Sequence, residues 1–391
     1  MNSKQRLRDF MLRFSVYSKA YTRNKIHKAR EFMMSPEDVQ KAETDVQSRE
    51  TLTLEYMNSW PARAKMVNEN ISDILKKSSS TEERERLQSY ADDMKFCFFA
   101  YGFSPNEYLC YGLANKGIAE RRAFISERDI VEYGYRMNDP LARQVLMDKM
   151  RTYERFKRFY GRKAVSVCGA LDHSRYLDFV NEHSTFVKKD VMESCGRSVE
   201  LVHLSKEGHS EEAFFSSLMN GHRYILEERV IQSDAMSALN PSSVNTVRCL
   251  TMYTRHGVLT PWCFLKVGQG GSFVDNGGAG GILVGIDENT GILSSNGIDE
   301  LGRRYVTHPD TGLTLKGYQL PEWERMLAIC REMAFMEPNN KWIGWDMAHT
   351  DKGWVIIEGN SLSEAIGPQS TSQHSIRSKL EELMKDVDLI I

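Results

Sequence analysis

Two rhythms of apolar residues divide the chain. Up to about residue 161, apolar positions recur at three- and four-residue steps, which predicts helices over 62–77, 81–100 and 141–160. Ser35-Pro36-Glu37 marks another helix start: Ser can cap, Pro is tolerated at the first helical position, and Glu suits the positive end of the dipole. After Gly161 the pattern changes to short apolar or alternating runs broken by Gly, Asn and Asp. These predict strands over 164–168, 185–189, 199–203, 224–231, 246–254, 260–267, 281–286, 341–347 and 354–358. Helices are expected at 174–182, 210–219, 322–335 and 375–384. The expectation is an α+β body rich in antiparallel sheet behind a mostly helical N-terminal region. Three segments follow: a basic amphipathic stretch over 1–34, a helical region over 35–140, and an α+β body over 141–391.

Composition narrows the classes. The 391 residues carry 51 Lys+Arg against 53 Asp+Glu, so no global basic excess points to nucleic acid. Seven cysteines, odd in number and without a C-x-x-C pair, favour neither a disulfide framework nor a zinc site, and a reducing cytoplasm is the simplest compartment. No apolar run approaches the roughly eighteen residues a membrane span needs. The ten histidines form no H-E-x-x-H pair and no serine lies in a G-x-S-x-G elbow, which removes zinc-hydrolase and serine-hydrolase readings.

Residues 1–30 hold nine Lys/Arg and one acid, Asp9. Leu7, Phe10, Met11, Phe14, Tyr17 and Tyr21 would form an aromatic stripe beside a cationic helical face. Such a helix either docks on an anionic membrane surface or acidic partner, from the cytosolic side, or packs its stripe on its own protein.

The segment 341–360 reads as one β-hairpin. A three-residue loop, Asp351-Lys352-Gly353, makes paired residue numbers sum to 704 and sets Asp346 opposite Glu358. Ile343, Trp345, Met347, Val355 and Ile357 then share one face, and Gly344, Asp346, Ala348, Ile356, Glu358 and Asn360 the other. Two carboxylates that close repel, and a hard divalent cation, Mg²⁺ or Mn²⁺, would compensate by taking their oxygens and that of Asn360. The alternative is a solvated edge with two unconnected acids.

Cationic and small residues cluster elsewhere. Lys189 ends a predicted strand ahead of a small-residue loop containing Gly196, an arrangement that can hold a phosphate or simply turn a hairpin. Lys149 lies in a predicted helix. Arg248 sits in a strand, where its planar fork could bind carboxylate or phosphate or join a surface salt bridge. The stretch 268–281 has seven glycines in fourteen positions but no P-loop pattern, and would serve as a mobile loop closing over phosphate or substrate.

In their order along the chain, these pieces resemble the ATP-grasp superfamily, specifically its branch associated with sugar transfer and extracellular polysaccharide biosynthesis, related to α-L-glutamate ligases. The resemblance rests on Met147-Asp-Lys149, 186–189 with the Gly196 loop, Ile225-Leu-Glu-Glu-Arg-Val230, Asn245-Thr-Val-Arg248, Val274-Asp-Asn276, Asp346 and Ile357-Glu-Gly-Asn360. It implies two α+β subdomains with antiparallel sheets gripping ATP. Lys149 and Lys189 would hold nucleotide phosphates. Glu227 and Glu228 would fall in the adenine and ribose pocket. Asp346, Glu358 and Asn360 would be the Mg²⁺ ligands, and Arg248 would steady the transferred phosphoryl. Asp275 and Asn276 would face substrate. Two departures stand out: Asp190 replaces the proline usual after the phosphate-binding lysine, and the loop reads Ser-Cys-Gly-Arg-Ser with one Gly. The implied activity is ATP-dependent carboxylate–amine ligation. A kinase using the same nucleotide site, or a non-catalytic nucleotide-binding scaffold subunit, are the alternatives.

Overall fold

The computed structural model describes residues 3–193, 199–204, 210–275 and 280–391. Gly196 and Asn276 therefore lie outside the described residues. The N-terminal helices build their own aromatic core around Phe32, Phe98, Phe99, Phe103 and Tyr111. Ser35 caps the helix Pro36–Thr44 by accepting from the Asp38 N–H at 3.1 Å, as its sequence signal predicts. The predicted helix over 81–100 is two helices, Thr81–Ser89 and Ala91–Tyr101, because the turn tightens at Tyr90, whose N–H reaches back only three residues to Leu87. The one predicted over 141–160 is also broken. Asp148 leaves the helical region and its carboxylate accepts from the N–H groups of Met150 and Arg151, so it ends Arg143–Met147 and caps Lys149–Tyr160.

The basic segment forms two helices, α1 (Ser3–Leu12) and α2 (Ser15–Arg30). Tyr21 of α2 lies against Tyr135, and Arg30 binds Asp129 and Glu132 of the helix Glu127–Met137. Among the described residues no helix is long and apolar enough to cross a membrane.

Two antiparallel sheets follow. The first contains β1 (Ala164–Val167), β2 (Thr185–Asp190), β3 (Glu200–His203) and β4 (Tyr224–Glu228), in the order β1-β4-β2-β3. Helices His173–Glu182 and Glu211–Ser217 cover it through Tyr176, Phe179, Phe214 and Phe215. The second contains β5 (Thr246–Thr254), β6 (Gly257–Val267), β7 (Ile282–Gly285), β8 (Gly297–Ile298), β9 (Arg304–Tyr305), β10 (Trp342–Thr350) and β11 (Gly353–Asn360). Its order is β11-β10-β5-β6-β7-β8-β9. The two-residue strands β8 and β9 are too short to leave a period in the sequence.

Both faces of the second sheet are buried. Val247, Cys249, Ile343, Trp345 and Met347 share a core with Phe156, Tyr160 and Trp323. On the opposite face Leu250, Trp262, Phe264 and Trp342 pack with Ile130, Tyr133 and Leu380. At the end of the sheet nearest the first sheet, this second face becomes charged, with Arg248 two residues from Leu250 and Lys266 two from Phe264.

The β10–β11 hairpin corrects the expected geometry while preserving its central pair. The ladder closes between Thr350 and Gly353 around a two-residue loop, not the expected three, and Gly353 takes the positive φ of 100° that the turn requires. Paired numbers near the loop therefore sum to 703. A β-bulge after Asp346 then restores the sum to 704, so Asp346 does lie opposite Glu358, and Gly344 opposite Asn360. Between loop and bulge the faces are exchanged. Ile356, expected beside the acids, enters the core opposite Met347, while Val355 pairs with Ala348 and Ile357 lines the cleft.

Candidate active site in the cleft between the sheets

One cavity is walled by both sheets: Val187, Lys189 and Glu227 come from the first, and Thr246, Lys266, Asp346 and Glu358 from the second. A second cavity of about 310 Å³ adjoins it, shares Lys149, Glu227, Lys266 and Glu358 among others, and adds Arg143, Arg248 and Asn360.

On the second sheet, three neighbouring strands place Glu358, Asp346 and Arg248 in one lateral row. The acid pair is thus compensated from the side the hairpin alone does not show. Arg248 donates from Nη2 to Asp346 Oδ2 at 2.8 Å and from Nε to Oδ1, and Lys266 Nζ reaches Oδ2 at 2.9 Å. Burial pushes the Asp346 carboxyl up, but Arg248 and Lys266 outweigh it and hold the group below the usual carboxylate range. Arg248, buried and bidentate, is no surface salt bridge. Glu358 has no such partner: the nearest cationic nitrogen, Arg248 Nη2, is 4.0 Å away, and its neighbour Asn360 donates at 3.3 Å. Desolvation in the cleft and then the charge of Asp346 push Glu358 up. Small Gly344 keeps this row open to the cleft, since a Cβ there would collide with Ser363 Oγ and lie 2.9 Å from Arg248 Cδ.

On the first sheet, Glu227 is the hub. It is buried, accepts from Arg162 Nη2 at 2.7 Å and Nε at 3.0 Å, and pairs with Lys189 Nζ at 2.9 Å. Burial raises its carboxyl, yet Arg162 and Lys189 bring it down to about 2. Glu228 lines the same cavity and its Oε2 accepts from the Lys163 N–H at 3.1 Å.

Lys149 stands at the first position of its helix, presented there by the Asp148 cap. Its Nζ donates to the carbonyl oxygens of Asp190 (2.9 Å) and Glu193, and burial lowers its pKa despite Glu358 nearby. Asp275 is buried, accepts from the Thr246 N–H at 2.9 Å, and is pushed up by burial. It lines the first cavity, facing the same space as Lys266 and Glu227.

The donor set can be tested against a hard divalent cation. Glu358 and the Asn360 amide oxygen offer oxygen donors along one ladder edge, with Asp346 beside them holding both its oxygens on Arg248 and Lys266, and the nearest cationic nitrogen to Glu358 is 4.0 Å away. That suits an ion held by one or two carboxylates and completed by phosphate oxygens. Among the described residues no group of three His, Cys, Asp or Glu could hold a metal on its own.

A model described as sugar-transfer associated ATP-grasp matches residues 131–385. The chain belongs to the sugar-transfer associated ATP-grasp family. No curated protein matches the chain. Among solved structures it is similar to the D-alanine-D-alanine ligase from Coxiella burnetii, at 10% identity and a TM-score of 0.38 over 64% of this chain and 60% of that one. The D-alanyl-alanine synthetase A from Vibrio cholerae matches at 9% identity and 0.40, covering 64% and 68% respectively. The ATP-grasp ligase PsnB with a minimal precursor matches at 10% and 0.40, covering 68% and 69%. The chain spans less than two thirds of the Coxiella enzyme's length.

Within this ATP-grasp chain, the described sequence candidates Lys149, Lys189, Glu227, Glu228, Arg248, Asp275, Asp346, Glu358 and Asn360 all line the two cavities. Sequence reasoning missed Lys266, Arg162 and Arg143. Lys266 left a signal, one charge inside the apolar run 261–267. Arg162 and Arg143 left none: Arg162 takes Glu227 from β4, and Arg143 meets Tyr135 of the preceding helix and Ser361 beyond β11 only through folding.

Proposed function

We propose that the chain is an ATP- and Mg²⁺-dependent carboxylate–amine ligase that works through an acyl phosphate and serves cell-surface or extracellular polysaccharide biosynthesis. The single observation that carries the reading is the convergence of Lys149, Lys189, Lys266 and Arg248 on one cleft edged by Asp346, Glu358 and Asn360. Cations fixed before the reaction stabilise charge developing on a transferring phosphoryl group without reorganising during it. In this reading Lys149 and Lys189 bind the phosphates and Glu227 with Glu228 borders the nucleoside. Lys266 and Arg248, both locked on Asp346, face the transferring group. Asp346, Glu358 and Asn360 would hold Mg²⁺ or Mn²⁺, whose chemistry there is to neutralise phosphate charge. A substrate carboxylate oxygen takes the γ-phosphoryl and ADP leaves. An amine then attacks the acyl carbon, loses a proton and expels phosphate. The reading of the polysaccharide pathway draws on the family's association with sugar transfer.

Full-length protein given ATP, Mg²⁺ and paired acids and amines is expected to release phosphate only when both partners are present, with an amide seen by mass spectrometry. A stable phosphate ester would move the assignment to a kinase. Nucleotide binding without turnover would leave a scaffold role.

The exposed stripe on α1 and α2 favours a peripheral membrane location. Leu7, Phe10, Phe14 and Tyr17 remain 60%, 58%, 52% and 48% exposed rather than packing on the protein, and Lys4, Arg6, Arg8 and Arg13 surround them. This combination suits an anionic lipid surface. Full-length protein is expected to sediment with phosphatidylcholine vesicles containing a minority of phosphatidylglycerol, less so as salt rises. Phe10→Ser with Phe14→Ser should abolish sedimentation. Equal pelleting of the variant, or a dimer in solution that masks the stripe, would remove the idea.

A further inference from the structure

Three arginines in the described chain are buried, and two of them have a buried carboxylate: Arg162 has Glu227 and Arg248 has Asp346. Arg143 does not. It is 5% exposed, and its Nε donates to Ser361 Oγ at 3.3 Å. Its guanidinium lies 4.0 Å from the centroid of the Tyr135 ring. Among the described residues its two terminal nitrogens have no hydrogen-bond or ion-pair partner, and Glu193, Glu227, Glu358 and Glu364 on the same cavity wall lie beyond ion-pair distance.

The guanidinium is largely desolvated and has no anion, its unpartnered terminal nitrogens keeping contact with the cavity, and a ring face offsets only part of that cost. The fork is held in place from behind by Tyr135 and at Nε by Ser361, which leaves Nη1 and Nη2 for a bidentate anion. It lines the 310 Å³ cavity beside Arg248 and Asn360, whereas Lys189 and Glu228 line only the first cavity and Glu227 lines both.

We infer that Arg143 is the binding residue for a carboxylate of the acyl substrate, an inference that rests on the ligase reading above. The second cavity is then the acyl-substrate site, and Arg143 holds the acid against the phosphoryl-facing groups. This gives the buried charge the counterion it lacks.

The test uses full-length protein with a nonhydrolysable ATP analogue and Mg²⁺, titrated with acetate, L-glutamate and D-glucuronate by saturation-transfer NMR, with chloride at equal ionic strength. Wild type is expected to bind at least one carboxylate, and Arg143→Gln to bind it about tenfold more weakly, the loss of one charge-assisted bidentate contact. Affinity for the nucleotide analogue should stay within about twofold. Arg143→Lys, which keeps the charge and the fold but not the fork, should fall between. Equal carboxylate binding by wild type and both variants, binding of none of the three acids, or a parallel loss of analogue affinity would overturn the assignment. Arg143-dependent binding without phosphate release would instead sink the ligase reading and leave this site standing.

Discussion

Asp346→Ala is expected to lower folding stability by about 3–5 kcal/mol, the scale for breaking a buried ion pair from one side. The carboxylate is 2% exposed and is the shared counterion of Arg248 and Lys266, both buried. Removing it leaves two buried cations without their paired carboxylate, with Glu358 4.0 Å from Arg248 and Glu364 and Asp275 acting only through longer-range charge. Asp346→Asn keeps the volume and some hydrogen bonding, so it should lose less. Urea denaturation of the full chain checks the order wild type, Asn, Ala. The same variants should lose ATP-dependent phosphate release altogether, because Arg248 and Lys266 lose the group that aims them. A stability change of under about 1 kcal/mol for the Ala variant would mean that the row is solvated and the cleft geometry is wrong.

Glu227→Gln should produce the second large effect, and one with a pH signature. The folded carboxyl is held at about 2 against an ordinary value of 4.5, so the folded state binds its proton less readily than the unfolded chain. The resulting stabilisation is fully present above pH 4.5 and is lost as pH falls from there towards 2. Its size is about 3 kcal/mol at neutral pH. The Gln variant is therefore expected to be less stable at pH 7, with the gap to wild type closing on acidification, as followed by chemical denaturation at successive pH values. A gap that stayed constant down to pH 2 would show that packing, not the Arg162 and Lys189 charges, makes Glu227 important. Because Lys189 loses its anchor, affinity for a nonhydrolysable ATP analogue should also fall in the variant.

The hairpin shows how much of the site could be read without coordinates. Alternation and the turn signal at 351–353 were enough to oppose Asp346 to Glu358, since both are local properties of twenty consecutive residues. The sequence pattern implies a loop one residue too long, and the bulge after Asp346 cancels that difference at Asp346 while exchanging the faces of Val355, Ile356 and Ile357. A bulge has no compositional mark here, so nothing in the chain announces it. The inferred need for a cation was likewise incomplete. Arg248 lies 98 residues from Asp346 and meets it only because β5 pairs with β10.

Periodicity, capping and turn chemistry act over a few residues, and they specified the helical N-terminal region, most strands of both sheets, the start at Ser35 and the basic aromatic stripe. Asp148 was legible only as part of a family motif, and its role as the cap that breaks a helix and presents Lys149 emerged from backbone geometry. Which charges neutralise one another depends on strand order and on two sheets closing over one cleft. Lys266 became a partner of Asp346, Arg162 a partner of Glu227, and Arg143 a buried cation without an acid through folding alone, because those distances are set by tertiary packing between segments that share no local pattern.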